Sequence, residues 1–212
     1  MSAKALKHLK SVDKPLGKLI QQVGRCKLRP PRRVEPFAAL AESVAYQQLA
    51  GAAASTIWAR VLSLYGGEFP GPNVVAKTDL RKLRRCGLSR AKCVAIKDLA
   101  RKTLRGIVPT RKEAERLSDQ ELIDRCTKVR GIGPWTVEML LIFSLGREDV
   151  LPTADYGVRN GYAITYGLKK LPTPKELLRL GLRWAPYRTF AAWYLWRAVD
   201  LAVKKRRMTA RS

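Results

Sequence analysis

A pair of glycines one residue apart, Gly131 and Gly133, lies between two helical segments within residues 122–145. Pro134 follows where the second helix would begin, a position at which its missing N–H group costs nothing. Glycine accepts a positive φ and leaves its backbone N–H uncovered, and outward-pointing amides at a helix start bind anions such as phosphate. The spacing therefore indicates an anion-binding hairpin. For so short a motif taken alone, an ordinary helix–turn–helix corner is the commoner interpretation.

Asp155 is the second candidate for a chemical role. It lies in the loop that runs from Leu151 to Tyr156. A carboxylate held in a loop can stabilise positive charge that develops on a substrate and can orient a water molecule. It can also cap a helix beginning at Tyr156, and the two roles are compatible because a capping carboxylate is ionised and fixed. Asp149 is the competing carboxylate; it stands beside Glu148, on a turn that we expect to be exposed.

The charge of the chain favours a polyanionic partner. Lys and Arg number 42 against 17 Asp and Glu, a net charge of +25, and nucleic acid is the leading candidate. An anionic membrane surface is the weaker alternative, because no helical segment concentrates the charge opposite a bulky apolar face. No apolar run approaches the ~18 residues of a membrane span, and charges interrupt residues 1–14 where a signal peptide needs its apolar core. We therefore expect an intracellular protein, in a cytoplasm with its nucleoid or in a nucleus, and no membrane partner.

Cysteine and histidine usage argues against several kinds of site. The cysteines at positions 26, 86, 93 and 126 lack the C-x-x-C spacing of zinc sites and the close spacing that a [4Fe–4S] cluster requires. His8 is the one histidine in the sequence, near an end that we expect to be mobile, so histidine-based triads and zinc hydrolysis are excluded. Reduced, buried thiols are expected instead.

The sequence predicts an all-α fold of about ten helices. Hydrophobic residues make up 46% of the 212 residues, which is typical of a globular protein with a substantial core. Capping boxes indicate helix starts at Ser118 with Glu121 and at Thr173 with Glu176. No stretch alternates as a β-strand does.

Some segments are expected to be irregular or to mark boundaries. Residues 66–77, rich in Gly and Pro, predict a loop, after which Thr78 would cap a short helix. Pro186 would begin the final long helix, and residues 204–212 would form a solvated basic tail.

Four segments together resemble one protein family. The stretch V-R-G-I-G-P-W-T at residues 129–136, followed by the Asp155 loop, resembles the helix-hairpin-helix of the DNA glycosylase superfamily. Three further stretches resemble its alkylation-specific branch, the type II 3-methyladenine DNA glycosylases: AYQQLAGAAASTIWAR at 45–60, CGLSRAKCVAIKDLA at 86–100 and WAPYRTFAAWYLW at 184–196. The likeness runs in order from roughly Pro36 to Val199, and is far more specific than the hairpin alone.

The resemblance implies a monomer of two helical lobes with an active-site cleft between them, without the N-terminal β-domain of some relatives. Residues 36–150 would form the central lobe, and residues 151–203 with an N-terminal helix the second lobe. The basic segment 1–33 would pack on this second lobe, ahead of a glycosylase core at 34–212.

The resemblance also assigns roles around the damaged base. In the family, the aspartate at the position of Asp155 stabilises the oxocarbenium-like sugar that forms as the N-glycosidic bond breaks. The base must first leave the duplex, and Gln48, with Leu49 beside it, matches the wedge that fills the gap. The alternative for Gln48 is a helix-end cap. Residues matched to the base pocket are Trp135, Met139, Tyr156 and Trp196.

Other roles concern the DNA strand and a cation. The hairpin residues matched to phosphate contacts are Gly131 and Gly133 through their amides, Thr136 through its hydroxyl and Arg130 through its charge. The family's hairpin also binds a monovalent cation, Na⁺ or K⁺, through main-chain carbonyls that match Thr127, Val129 and Ile132.

The expected function is hydrolysis of the N-glycosidic bond of alkylated purines in double-stranded DNA, with 3-methyladenine as the substrate and 7-methylguanine as a further candidate. Trp135 stands where bifunctional glycosylases carry a Schiff-base lysine, so strand cleavage is not expected. No redox cofactor is required by this chemistry. The alternatives are a non-catalytic helix-hairpin-helix protein that binds damaged DNA, and a glycosylase for uracil, hypoxanthine or oxidised bases.

Overall fold

The computed structural model describes residues 3–30, 34–49 and 51–209, the side chain of Arg206 excepted. Within these ranges the chain is helical, with turns between the helices and no β-strand, which confirms the predicted all-α class. None of these helices combines the length and hydrophobicity that crossing a membrane requires.

The first helices of the described chain lie between Ala3 and Ala114. They are α1 (Ala3–Val12), α2 (Lys14–Val23), α3 (Pro36–Tyr46), α4 (Gly51–Ser63), α5 (Pro72–Lys77), α6 (Leu80–Arg85), α7 (Arg90–Leu104) and α8 (Arg111–Ala114). Those that follow are α9 (Asp119–Cys126), α10 (Pro134–Leu140), which continues into a π-helical turn (Leu141–Leu145), α11 (Tyr156–Tyr166), α12 (Pro174–Leu180), a 3₁₀ turn (Gly181–Trp184) and α13 (Arg188–Thr209).

The chain divides into two compact units. The terminal unit comprises Met1–Pro30 and Gly146–Ser212, and the central unit comprises Pro31–Leu145.

In the terminal unit, α13 packs against α11 and α2. The two long helices approach so closely that a Cβ on Gly161 would lie 1.9 Å from the carbonyl oxygen of Leu195, so no larger residue fits there. The core includes fully buried Leu9, Leu16 and Trp184. The N-terminal helices therefore share one hydrophobic core with the C-terminal helices.

A buried carboxylate, Asp13, joins these helices. It caps α2 by accepting a hydrogen bond from the Leu16 amide at 3.0 Å, and it accepts another from the Trp184 indole at 2.9 Å. The Tyr166 hydroxyl also donates to it. Burial and this carboxylate together raise the pKa of Tyr166, so the phenol remains a protonated donor.

In the central unit, α7 is the helix around which the others pack, with α3, α5 and α6 against it. Its apolar stripe, including Ile96, Leu99 and Ala100, is fully buried. Side-chain caps set where helices begin: Ser89 caps α7, and Ser118 with Glu121 forms the predicted capping box of α9.

Several boundaries differ from the sequence-based expectations. The predicted loop at 66–77 contains α5, because Pro72 suits the first turn of a helix and Val75 is buried in the core. Asp79 rather than Thr78 caps α6, since its carboxylate accepts from the Arg81 amide.

The chain ends also differ from expectation. His8 lies in a helix, α1, and its Nε2 is within 3.2 Å of the Arg183 carbonyl oxygen. The final helix begins at Arg188, two residues after Pro186, and continues to Thr209, because Lys and Arg are good helix formers that suit a helix C-terminus. The rest of the expected tail, 210–212, lies outside the described residues, as do 31–33.

Replacing Asp13 by Ala should destabilise the protein by about 3 kcal/mol, because the change removes a helix cap and leaves buried donors without an acceptor. Asp200→Ala in the same unit removes only a surface ion pair with Arg197 and should change the stability by less than about 1 kcal/mol. Urea unfolding followed by circular dichroism measures both, and equal losses would contradict the structural role of Asp13.

Candidate active site

The Asp155 carboxylate is held by two donors. It is the N-cap of α11 and accepts a hydrogen bond at Oδ1 from the Val158 amide at 2.7 Å. The same oxygen accepts from the indole N–H of Trp196 at 2.8 Å. The two hydrogen bonds fix the orientation of the carboxylate. The two roles weighed for Asp155, helix cap and catalytic group, remain compatible in this geometry.

Gly157 makes the contact between Asp155 and Trp196 possible. A Cβ at this position would lie 2.8 Å from Cδ1 of the Trp196 ring and 3.1 Å from Asp155 Oδ1. The absence of a side chain therefore lets α13 bring an indole N–H directly to the start of α11. The sequence predicts Trp196 in the base pocket, but neither this hydrogen bond nor the role of Gly157 could be predicted from it.

Asp149, the competing carboxylate, is occupied by an ion pair. Its two oxygens accept from the Arg188 guanidinium at 2.8 and 2.9 Å, a bidentate arrangement. Oδ1 also accepts from the Arg188 amide at the start of α13. Asp149 thus holds the beginning of α13, which is a structural role.

The two hairpin glycines differ in conformation. Gly131 has a φ of +78°, whereas Gly133 is the N-cap of α10 with a φ of −98°, so only the first of them uses the left-handed region. The turn is anchored by buried Val129 and Ile132, and the Ile132 amide donates to the Val129 carbonyl at 3.1 Å. Gly131 and Gly133 themselves are exposed.

Asp98 of α7 fixes the hairpin through an interaction that could not be predicted from the sequence. Its carboxylate accepts from the Arg130 amide at 2.9 Å and from Lys102 at 2.9 Å. Burial raises the pKa of Asp98, but these hydrogen bonds and the nearby positive charges outweigh it, so its pKa is lowered overall. The Arg130 amide is therefore used within the protein, while the residue as a whole is exposed.

The turn after α3 carries the predicted wedge residues. Gln48 has a φ of +58°, the one positive φ at a non-glycine residue among the described positions. This conformation costs a residue with a side chain roughly 1–2 kcal/mol, and such strain is concentrated at functional sites. Gln48 and Leu49 are both exposed.

Gln47, which precedes the wedge, joins the turn to the hairpin. Its side-chain amide donates to the Gly131 carbonyl at 3.0 Å and to the Thr136 hydroxyl oxygen at 3.3 Å. Thr136 is only 3% exposed, so its predicted phosphate contact is not supported. Because its hydroxyl is buried against Gln47, we assign Thr136 a role in holding the hairpin.

A cavity of about 580 Å³ in the central unit brings the predicted wedge and two of the predicted pocket residues together. Its lining comprises Ser43, Tyr46, Gln47, Gln48, Leu49, Trp135, Thr136 and Met139. Trp135 is 42% exposed, as suits a ring that receives a ligand. Tyr156 and Trp196, the other predicted pocket residues, belong to the terminal unit. Ser43, Tyr46 and Gln47 were missed, although their i, i+3, i+4 spacing places them on one helix face.

The described side chains offer no clustered metal ligands, and the cysteines are buried. Among the described residues, no cluster of three or more His, Cys, Asp or Glu side chains is placed to bind a metal. The four cysteines are buried free thiols, and burial raises the pKa of Cys126 to about 11, which leaves it unreactive at neutral pH. The carbonyls of Thr127, Val129 and Ile132 remain the candidate cation ligands.

Gly131→Ala should destabilise the protein by about 1–2 kcal/mol, because alanine is strained at a positive φ and its Cβ would lie 3.3 Å from that of Ala95. Gly133→Ala is the matched control: φ is negative and, its chain neighbours apart, no atom of the described residues lies within 4 Å of the added Cβ, so the stability should stay within about 1 kcal/mol of the parent. Thermal unfolding distinguishes the two, and indistinguishable melting temperatures would overturn this account of the turn.

The chain is similar to several characterised sequences. A family model described as "HhH-GPD superfamily base excision DNA repair protein" matches residues 41–186. The chain is 45% identical over 203 residues to a Schizosaccharomyces pombe protein named "DNA-3-methyladenine glycosylase 1", covering 94% of this chain and 88% of the relative. It is also 35% identical over 200 residues to an "Alkylbase DNA glycosidase-like protein mag2" of the same organism, covering 93% of this chain and 94% of the relative.

Solved structures agree with these sequence relationships. The S. pombe 3-methyladenine DNA glycosylase Mag1, in complex with abasic DNA, matches with a TM-score of 0.83 at 45% identity, over 92% of this chain and 96% of that one. A Bacillus halodurans DNA-3-methyladenine glycosidase matches with a TM-score of 0.85 at 33% identity, over 96% and 92%. The chain therefore belongs to the HhH-GPD superfamily of base excision DNA repair proteins, in its alkylbase glycosylase branch.

Proposed function

We propose that this chain is a monofunctional DNA glycosylase that hydrolyses the N-glycosidic bond of alkylated purines, with 3-methyladenine as the principal substrate and 7-methylguanine as a second. The names of the relatives at 45% and 35% identity support the substrate class. The observation that carries the catalytic part is the Asp155 carboxylate, fixed by the Trp196 indole and the Val158 amide.

Asp155 is the catalytic residue of the proposed mechanism. As the base departs, positive charge builds on the sugar around C1′, and a nearby carboxylate stabilises it. The carboxylate also orients the water that attacks C1′, which gives a free base and an abasic site. Because two hydrogen bonds already hold Asp155, its charge needs no reorganisation when the bond breaks.

The turn after α3 separates the damaged base from the duplex. Flipping a base out costs a few kcal/mol, least for a damaged pair. Gln48 and Leu49 would enter the gap, and their exposed position on a strained turn fits this role. Trp135 and Met139 of the adjacent cavity would contact the extruded base, whose positive charge favours an aromatic face by ~0.5–2 kcal/mol. Tyr156, 67% exposed at the start of α11, and Trp196 are further pocket candidates.

The hairpin would hold the DNA strand by its backbone. The amides of the exposed residues Gly131 and Gly133 are suited to a phosphate, and the Arg130 side chain adds a positive charge. The carbonyls of Thr127, Val129 and Ile132 would hold a Na⁺ or K⁺ ion. They fit such an ion by donor chemistry, since the Val129 carbonyl, which accepts the Ile132 amide, has a second lone pair. When bound, the cation would add positive charge next to the phosphate.

Trp135 excludes a Schiff base at its own position. Strand cleavage by a bifunctional glycosylase requires an amine that attacks C1′, and an indole cannot supply one. The proposed enzyme therefore stops at the abasic site. Neither step requires a redox cofactor.

Asp155→Asn should lower the single-turnover rate of base release on the order of 10²–10³-fold, because asparagine keeps the shape but loses the charge that stabilises the sugar. Asp149→Asn is the matched control: it breaks the ion pair with Arg188, and its rate should stay close to that of the parent in protein that remains folded. The assay measures release of 3-methyladenine and 7-methylguanine from methylated duplex DNA.

Two outcomes of this assay would contradict the proposal. Equal rates for Asp155→Asn and the parent would show that the carboxylate does not act in catalysis. A parent protein that binds damaged DNA without releasing any base would make the chain a non-catalytic lesion-binding protein. A panel of single-lesion duplexes that includes uracil, hypoxanthine and an oxidised purine then decides the lesion class.

A further inference from the structure

The turn after α3, residues Gln47–Leu49, is the wedge turn, and Lys92 holds it in addition to the Gln47 side chain. Lys92 lies on α7, and its ammonium group donates to the Ala45 carbonyl at 2.9 Å and to the Gln47 carbonyl at 2.7 Å. Both acceptors belong to the C-terminal end of α3 and the residue after it, where helix carbonyls have no partner within the helix. A cation there also complements the negative end of the helix dipole. Lys92 therefore satisfies two backbone carbonyls at the C-terminal end of α3, those of Ala45 and Gln47.

Lys92 is half-buried, which makes this contact more than a surface pairing. Burial lowers the pKa of Lys92, since its ammonium group has exchanged water for protein oxygens. A hydrogen bond from a charged group in such surroundings is stronger than a neutral one, and its loss leaves two carbonyls to be resolvated.

The turn needs support because its conformation is unfavourable. Gln48 has a φ of +58°, a conformation that side chains other than glycine rarely adopt. On one side, the Gln47 amide ties the turn to Gly131 and Thr136 of the hairpin. On the other side, Lys92 takes the Gln47 carbonyl, immediately before the strained residue. The same residue, Gln47, is thus held by its side chain and by its backbone.

We propose that Lys92 is a positioning residue for base flipping: it holds the turn at Gln47–Leu49 with Gln48 in the left-handed conformation that presents this residue to the duplex. Together with the Gln47 amide, it keeps the wedge in a fixed relation to the hairpin within the central unit. This inference rests on the proposed function and adds a residue that touches neither the base nor the sugar.

A loosened wedge turn and a general loss of stability should have different effects on paired and unpaired lesions. A wedge is needed most when the lesion is well paired, and least when nothing lies opposite the lesion, because the cost of unpairing is then small. Loosening the turn should therefore slow excision from a paired lesion far more than from an unpaired one.

The chain offers a matched control on the same helix. Lys97 of α7 also donates to a backbone carbonyl, that of Thr78, away from the wedge turn. Lys92→Met and Lys97→Met each remove one such ammonium group and keep an unbranched side chain one atom shorter. Lys92→Arg keeps a cation that can still donate to two carbonyls.

Single-turnover excision of 7-methylguanine is measured opposite cytosine and opposite a tetrahydrofuran abasic analogue, with folding checked by thermal unfolding. Lys92→Met should lower the rate about ten-fold more on the paired duplex than on the unpaired one, in keeping with a flipping cost of a few kcal/mol. Lys97→Met should change both rates by one common factor, and Lys92→Arg should restore the parent ratio. Equal ratios for Lys92→Met and Lys97→Met would overturn the inference.

A second measurement does not depend on catalysis. In duplex DNA with 2-aminopurine opposite a tetrahydrofuran site, an inserted wedge changes the stacking and hence the fluorescence of the 2-aminopurine. The parent and Lys97→Met should give the same change at saturation, and Lys92→Met a smaller one. If no variant excises 7-methylguanine but this difference persists, the proposed second substrate is wrong and the role of Lys92 stands; if the difference is absent, the role of Lys92 is wrong.

Discussion

Two hydrogen bonds to one oxygen of Asp155, from the Trp196 indole and the Val158 amide, fix the charge on which the proposed chemistry depends. Much of the terminal unit serves that geometry. Gly157 and Gly161 let α13 lie directly against α11, which brings the indole to the helix start. Asp13 binds the N-terminal helices into the same core. The proposed catalytic carboxylate is thus held by packing between helices rather than by its own loop alone.

In the central unit, hydrogen bonds fix the hairpin and the turn after α3, which suits their proposed contacts with a DNA strand. The exposed hairpin is fixed through Asp98, and the wedge turn through Gln47 and Lys92. The Asp98–Arg130, Gln47–Gly131 and Lys92–Gln47 hydrogen bonds each involve a backbone group, so they fix the main chain of both turns. The net charge of +25 favours general attraction to DNA, whereas under the proposed function these fixed turns determine how the strand is held.

The features of this molecule that depend on local chemistry could be predicted from the sequence. The capping boxes, the helix begun by Asp155 and the left-handed glycine at 131 follow from rules that act within a few residues. The helix at 72–77 was missed because a Gly- and Pro-rich composition outweighed two valines. Partners distant in sequence, such as Asp98 under the hairpin or Trp196 beside Asp155, could not be predicted, since only packing brings them together. The burial of Thr136 was missed for the same reason.

Base release by Gly157→Ala, compared with the parent, tests the central claim most directly, because the added methyl displaces the Trp196 indole from Asp155 and leaves the proposed wedge and phosphate-binding residues unaltered. The single-turnover rate should fall at least about ten-fold, as the loss of one charge-assisted hydrogen bond implies, while affinity for abasic-analogue duplex DNA stays within about two-fold. A variant whose crystal structure shows a displaced Trp196 but which releases 3-methyladenine at the parent rate would contradict the account.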